Sequence, residues 1–177
     1  MIFLNKNKLS IKKICILGLI TALLITVSLT TTLFWKGKYV VQFTNGLYIL
    51  FCLTIPGIGM LIVGVVYGSM IDSIANSFST IPITIFINVL IFLIIKISNK
   101  TFVQHILALF CCVLVFLYIP YQWYVNWNGL SSDERYGLLI SELIVDAIQL
   151  LVSFIIFEFM FLTLTKTKLI IKIQKQY

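Results

Sequence analysis

Acidic side chains are the residues best suited to chemistry in this chain, because almost everything around them is apolar. Asp72 ends the pattern Gly64-xxx-Gly68-xxx-Asp72, and this spacing places all three residues on one face of a helix. The two glycines predict a groove that lets another helix pack closely. Asp72 is either a cap at the water-facing end of that helix or a functional carboxylate, since an intramembrane carboxylate needs a partner or water.

A second acidic pair, Glu142 and Asp146, lies one helical turn apart in a later apolar segment. With Ser141 and Gln149 it gives half of that segment a polar face. Two interpretations stay open: the wall of an outward-facing polar pocket, or the solvated first turns of a long helix, where acidic groups are favoured. Glu158 lies deeper in the segment, and we expect it to pair with a lysine or with a partner subunit.

Aromatic residues and asparagines are grouped around the longest polar connection. The members of the group are Tyr118, Tyr121, Trp123, Tyr124, Asn126, Trp127 and Asn128. Flat rings stack on flat heterocycles, and asparagines supply hydrogen bonds to ring donors and acceptors. The competing interpretation is an aromatic belt at the level of the lipid headgroups, which needs no ligand. The belt explains Tyr118 and Tyr121 better than it explains Trp123, Tyr124, Trp127 and Asn128.

Metal-binding and catalytic patterns are missing from the sequence. His105 is the single histidine, so a zinc centre of the HExxH type is excluded. The four cysteines all lie in apolar runs and match no metal or redox motif, and we interpret them as reduced core residues: Cys15, Cys52, Cys111 and Cys112. The chain has no GxxxxGK[ST] phosphate-binding loop. We therefore expect no catalytic residues, no metal and no cofactor.

The composition is that of an integral membrane protein. Hydrophobic residues make up 60% and charged residues 11% of the 177 residues, and the mean hydropathy is +1.09. We predict an all-α, six-transmembrane-helix bundle in residues 14–165, between a basic N-terminus, 1–13, and a basic tail, 166–177. The predicted helices cover residues 14–34, 45–55, 57–76, 83–97, 101–119 and 137–165. Proline residues end the second and fifth of them, and the second is short for a full span.

The basic residues predict the orientation of the bundle. Ten of the 13 Lys and Arg residues fall on the side that holds both termini if six helices cross. These are Lys6, Lys8, Lys12, Lys13, Lys96, Lys100, Lys166, Lys168, Lys172 and Lys175. The other side has Lys36, Lys38 and Arg135. Both termini are therefore predicted to be cytoplasmic, in the cell membrane. The net charge of +7 follows these flanks and forms no basic face for nucleic acid.

The chain resembles the substrate-binding (S) components of energy-coupling-factor vitamin transporters, which are small six-helix membrane proteins with basic ends. The similarity extends over residues 8–166. Its most specific part is Gly64-xxx-Gly68-xxx-Asp72, which is similar to the glycine-rich stretch ending in aspartate of the folate-type branch. That family stretch usually opens with Gly-Pro, where this chain has Met60 and Leu61. The first helix, with Gly18 and Ala22, resembles the family's docking helix.

The resemblance implies a subunit that captures a small vitamin from outside and passes it to a partner ATP-driven complex. The implied partners are a transmembrane coupling subunit, two ATPase subunits, and a folate-like, riboflavin or thiamine ligand. By location, Trp123, Tyr124, Trp127 and Asn128 would lie near a lid, with Glu142 and Asp146 in the cavity wall. Two other hypotheses stay open: a non-transport assembly or anchoring subunit that works through helix–helix contacts, and a small intramembrane enzyme using the acidic pair.

Overall fold

The computed structural model describes residues 11–34, 44–98, 100–125 and 127–167, and the regular structure in these ranges is all helical. The helices are α1 (Ile11–Phe34), α2 (Asn45–Thr54), α3 (Gly59–Ile74), α4 (Ile81–Ile95), α5 (Thr101–Val113), α6 (Tyr118–Val125) and α7 (Ser132–Lys166). Short 3₁₀ turns, Phe78–Thr80 and Leu114–Leu117, lead into α4 and α6. The basic residues in segments 1–10, 35–43 and 168–177, which are used to predict the orientation, lie outside the described residues.

Four helical segments of the described chain are long and apolar enough to cross a membrane: Ile11–Thr30, Phe78–Ile95, Thr101–Val125 and Ser132–Lys166. The prediction of an all-α membrane protein is confirmed at this level. Helices α2 and α3 have 10 and 16 residues. At 1.5 Å per residue they are about 15 and 24 Å long, against a hydrocarbon core of about 30 Å.

The distribution of polarity is the reverse of that in a soluble protein. Large apolar side chains cover the outer faces of the helices, among them Leu19, Phe86, Phe102, Ile155 and Phe159. Buried polar side chains lie between the helices instead: Ser28, Thr44, Thr54, Asp72, Thr80, Thr84, Asn88, Asp146, Gln149 and Ser153. An apolar exterior suits a lipid environment, because apolar side chains need no hydrogen bonds from water.

Local sequence signals explain where several helices begin and end. Pro56 follows α2, and Gly57 takes a left-handed φ of +91° in the turn into α3. Helix α3 ends in a Schellman motif, in which Ser77 N–H donates to the Asp72 carbonyl oxygen over 2.8 Å. Asn76 supplies the left-handed residue of that motif, with φ +57°.

The prediction that Pro120 ends the fifth helix is wrong. Pro120 lies in the first turn of α6, where a missing N–H costs little, and the preceding 3₁₀ turn connects α5 to α6 without a loop. Helical structure therefore continues to Val125. The polar connection between the predicted helices 101–119 and 137–165 is correspondingly shorter, because α6 ends at Val125 and α7 begins at Ser132 rather than at Gly137.

Two contacts define the two ends of the bundle. At one end, the Tyr121 hydroxyl of α6 donates to the Ser79 carbonyl oxygen before α4, over 2.6 Å. We call this the aromatic end. At the other end, the Lys96 ammonium after α4 donates to the Ile55 carbonyl oxygen after α2, over 2.9 Å. We call this the lysine end, and burial there lowers the pKa of Lys96.

Candidate functional site

Asp72 accepts a buried hydrogen bond from the next helix in the chain. Thr84 Oγ1, in the first turns of α4, donates to Asp72 Oδ2 over 2.5 Å, and Thr84 Oγ1 lies 2.5 Å from the Tyr118 hydroxyl oxygen of α6. Because the single Thr84 proton is directed at the carboxylate, Tyr118 is the donor to Thr84. The result is a chain of two hydroxyl groups directed at Asp72, which ties α3, α4 and α6 together near the aromatic end.

Asp146 approaches the same chain from α7. Its side chain is buried, with 3% of the residue exposed, and its Oδ2 has no hydrogen-bond partner. Both Asp72 and Asp146 act electrostatically on the Tyr118 hydroxyl, and Glu142, half-buried one turn away, acts on Asp146. We call Asp72, Thr84, Tyr118 and Asp146 the polar cluster. Asp72 and Asp146, which the sequence singled out in separate helices, thus both lie within electrostatic range of one hydroxyl group.

The face of α7 that carries Asp146 continues toward the lysine end with Gln149 and Ser153, both buried. These residues follow at intervals of three and four, so they share one side of the helix. The start of α2 packs on this face, because a Cβ at Gly46 would overlap the Ser153 carbonyl oxygen. The polar half of α7 is therefore turned to the bundle interior at these positions.

The predicted glycine groove of α3 receives side chains rather than a second backbone. The Tyr48 hydroxyl of α2 occupies the position that a Cβ at Gly64 would take. A Cβ at Gly68 would lie 2.7 Å from Asn88 Nδ2 and from Thr84 Cγ2. Gly68 therefore lets α4 bring Thr84 within reach of Asp72.

A second set of buried hydrogen bonds supports the groove. The Tyr48 hydroxyl donates toward the carbonyl oxygens of Met60 and Asn88, at 3.1 and 3.2 Å. The Asn88 side-chain amide donates to the Gly64 carbonyl oxygen over 2.9 Å. These bonds fix α2 and α4 against α3. Sequence reasoning missed Thr84 and Asn88, although two polar residues one turn apart in an apolar helix are themselves a signal.

The aromatic residues divide between a packed group and exposed positions. Trp123 contacts Trp127 and Tyr136 edge-on, with ring centroids 6.3 and 6.0 Å apart, and the Arg135 guanidinium lies 5.8 Å from the Trp123 ring. Trp127 is only 7% exposed, whereas Tyr124 is 76% exposed. The backbone carbonyl oxygen of the exposed Asn128 accepts a hydrogen bond from the Arg135 guanidinium. Asn126 lies outside the described residues.

The two small residues of α1 lie on its outer face. Gly18 and Ala22 are exposed, and a Cβ at Gly18 would have no atom within 4 Å. The opposite face of α1 packs on α3 and buries Leu17, Leu24 and Ser28. Within the described residues nothing packs on Gly18, so this small-residue face is available to lipid or to a contact outside that part of the chain.

In the described part of the chain, Glu158 pairs with His105 rather than with the expected lysine. His105 Nδ1 lies 2.7 and 2.9 Å from the two Glu158 carboxylate oxygens, and both side chains are about a quarter exposed. The Phe161 ring meets His105 edge-on at 5.0 Å. This pair joins α5 to α7 and lies toward the lysine end, away from the polar cluster.

No group of three or more metal-ligating side chains occurs in the described residues. All four cysteines are free thiols; three are buried, and Cys15 is exposed rather than in the core. Neither the known family models, nor the curated proteins, nor the solved structures contain a match to this chain. The arrangement offers an unpaired acceptor oxygen at Asp146, in electrostatic range of the Tyr118 hydroxyl, which suits binding of a polar molecule inside an apolar bundle.

Proposed function

We propose that this chain is a membrane-embedded, substrate-binding subunit that captures a small vitamin-like molecule from outside the cell. The polar cluster carries this proposal. Ionisable groups inside a membrane bundle are costly, and they generally serve a substrate path or binding site. Here two carboxylates, Asp72 and Asp146, are buried and both act electrostatically on Tyr118, between helices whose outer faces are apolar.

The proposed topology has six crossings in the cell membrane, with α5 and α6 together forming one of them. Helices α2 and α3 cross as a short pair. The lysine end, with Lys96 and Lys100, faces the cytoplasm together with both termini, in keeping with the preference of basic residues for that side. The aromatic end then faces outward, and the Trp123 and Trp127 group lies where a captured molecule would enter.

In this proposal a partner supplies the energy for delivery of the substrate, since the sequence has no phosphate-binding loop to use ATP. The partner we propose is an energy-coupling module of one transmembrane coupling subunit and two ATPase subunits. The exposed Gly18 and Ala22 face of α1 is the surface proposed for that contact, since small residues let helices approach closely.

The test is uptake and binding measured with the same protein. The purified chain should gain thermal stability from one member of a vitamin panel, because a ligand that binds only the folded state stabilises it by mass action. Cells that also express a coupling module should accumulate that radiolabelled vitamin, and cells with an ATPase-dead module should not. Absence of a melting shift across the panel, together with absence of uptake, would overturn the proposal.

An assembly or anchoring subunit is the second candidate, favoured by the unpacked small-residue face of α1. It predicts that alanine substitutions in the polar cluster change stability alone. The first candidate predicts that the same substitutions also abolish binding of a small molecule.

A further inference from the structure

Asp146 is the one member of the polar cluster with an acceptor atom left over. The protons of Tyr118 and Thr84 are committed in sequence, Tyr118 to Thr84 and Thr84 to Asp72. Asp146 Oδ2 receives neither, although the residue is 3% exposed. A carboxylate removed from water needs hydrogen-bond donors or a positive charge nearby.

Three basic side chains of the described residues are engaged elsewhere in the fold. At the aromatic end, Arg135 binds the carbonyl oxygens of Asn128 and Leu130 and stacks over Trp123. Lys96 and His105 are held at the lysine end by Ile55 and Glu158. Within the described ranges, Asp146 therefore has no ion pair. A bound cation would supply the compensating charge.

Asp146 lies on α7 before the level at which α2 begins. Helix α2 starts beside Ser153, which follows Asp146 by seven residues in α7. Seven residues correspond to about 10 Å. Asp146 thus lies beyond the first turn of α2, toward the aromatic end. The Ser153 hydroxyl, 1% exposed, has no hydrogen-bond partner either and lies on the same face of α7.

We propose that the molecule bound at the polar cluster is cationic, with a positively charged nitrogen group whose N–H donors pair with Asp146. The inference rests on the proposed function and narrows its substrate class. An amidinium, a protonated amine or a cationic aminoheterocycle supplies what Asp146 lacks. A folate-like dianion is disfavoured, because Asp72, Glu142 and Asp146 would all repel it. The neutral riboflavin ring supplies donors but no charge.

Matched probes separate charge from shape. Thermal unfolding of the purified full chain is measured with thiamine and benzamidine, which are cations, and with riboflavin, folate and benzamide. Benzamide matches benzamidine in shape but is neutral. We expect at least one cation to raise the melting temperature by several degrees, and benzamide to have no effect at the same millimolar concentration.

Variants assign the effect to one carboxylate. Asp146→Asn keeps the shape and removes the charge, and it should weaken binding of the cation at least tenfold. The unliganded variant should be as stable as the native chain or more stable, because an unpaired buried charge is gone. Asp133→Asn, at an exposed position in the first turn of α7, is the matched control and should bind as the native chain does.

Each outcome decides between the ideas. Stabilisation by riboflavin or folate, with both cations inert, overturns this inference and leaves the proposed function standing. Cation binding that survives Asp146→Asn unchanged also overturns it. No shift with any probe overturns the inference and counts against the proposed function as well. If Asp146→Asn fails to fold, the comparison of benzamidine with benzamide on the native chain still decides the charge requirement.

Discussion

The Tyr48 hydroxyl occupies the place where a Cβ at Gly64 would be, so that a side chain of α2 seals the glycine groove of α3. The hydroxyl is held there by the carbonyl oxygens of Met60 and Asn88. A tyrosine ring is large and rigid, and this one is fully buried. The groove therefore accommodates one particular side chain, and we expect it to tolerate substitution poorly.

Gly64→Ala should destabilise the protein by about 1–3 kcal/mol, because the added methyl group displaces Tyr48 and its hydrogen bonds. The measurement is reversible or thermal unfolding in detergent. Gly18→Ala is the control, since a Cβ there meets nothing within 4 Å. It should be neutral or stabilising by up to about 1 kcal/mol through helix propensity. Equal losses of stability in the two variants would contradict the conclusion that Tyr48 fills the place of a Cβ at Gly64.

Thr84→Val should cost about 1–3 kcal/mol, because it removes the donor to Asp72 and leaves a buried carboxylate short of one hydrogen bond. Thr84→Ser keeps the hydroxyl and should recover most of the loss. Thr26→Val is a matched control, since Thr26 is exposed and its hydroxyl bonds only the Ala22 carbonyl oxygen in its own helix. A Thr84→Ser variant as unstable as Thr84→Val would refute the hydrogen-bonded chain.

Face assignments were predictable from the sequence, and the partners on those faces were not. The four-residue spacing of Gly64, Gly68 and Asp72 placed them on one side of a helix, and the structure shows them there. Periodicity carries no information about which distant residue fills a groove. Tyr48 and Thr84 reach it only because α2 and α4 pack on α3, and that packing depends on the whole bundle.

The predicted helix boundaries are wrong where a local sequence rule ignores the neighbouring residues. The rule that proline ends a helix predicts a stop at Pro120, but a proline is tolerated in a first helical turn, and the 3₁₀ turn before it creates such a turn. The start of α7 had a usable signal. Ser131 and Glu134 form a capping box, with Ser131 N–H donating to Glu134 Oε2 over 3.0 Å, and that pattern in the sequence predicts a start at Ser132.

The His105–Glu158 pair should show energetic coupling between α5 and α7. A double-mutant cycle with His105→Ala and Glu158→Ala should give a coupling energy of about 0.5–2 kcal/mol, since polar contacts between membrane helices are modest. The readout is unfolding of the four proteins under one condition. Strict additivity of the two single losses would mean that the contact contributes nothing to stability.

Substitutions of Trp127 and Tyr124 should differ sharply in their effect on stability, although the two residues are close in sequence. Trp127→Ala removes a buried ring in contact with Trp123 and should cost about 3–5 kcal/mol. Tyr124→Ala changes an exposed side chain and should alter stability by less than about 0.5 kcal/mol. If Tyr124→Ala nevertheless abolishes binding of a stabilising ligand, Tyr124 belongs to the entrance of the site.

Substitutions on the outer face of α1 should separate folding from assembly. Gly18→Leu adds a bulky side chain where the chain itself leaves open space, so the isolated protein should fold and bind ligand normally. The same change fills the small-residue surface proposed to meet the coupling subunit, and co-purification with that subunit should be lost. Leu19→Ala, at a neighbouring outward position, is the control and should leave assembly intact, because it makes the surface smaller. Normal assembly and uptake by Gly18→Leu would remove α1 from the proposed interface, and the contact would then have to lie on another apolar face.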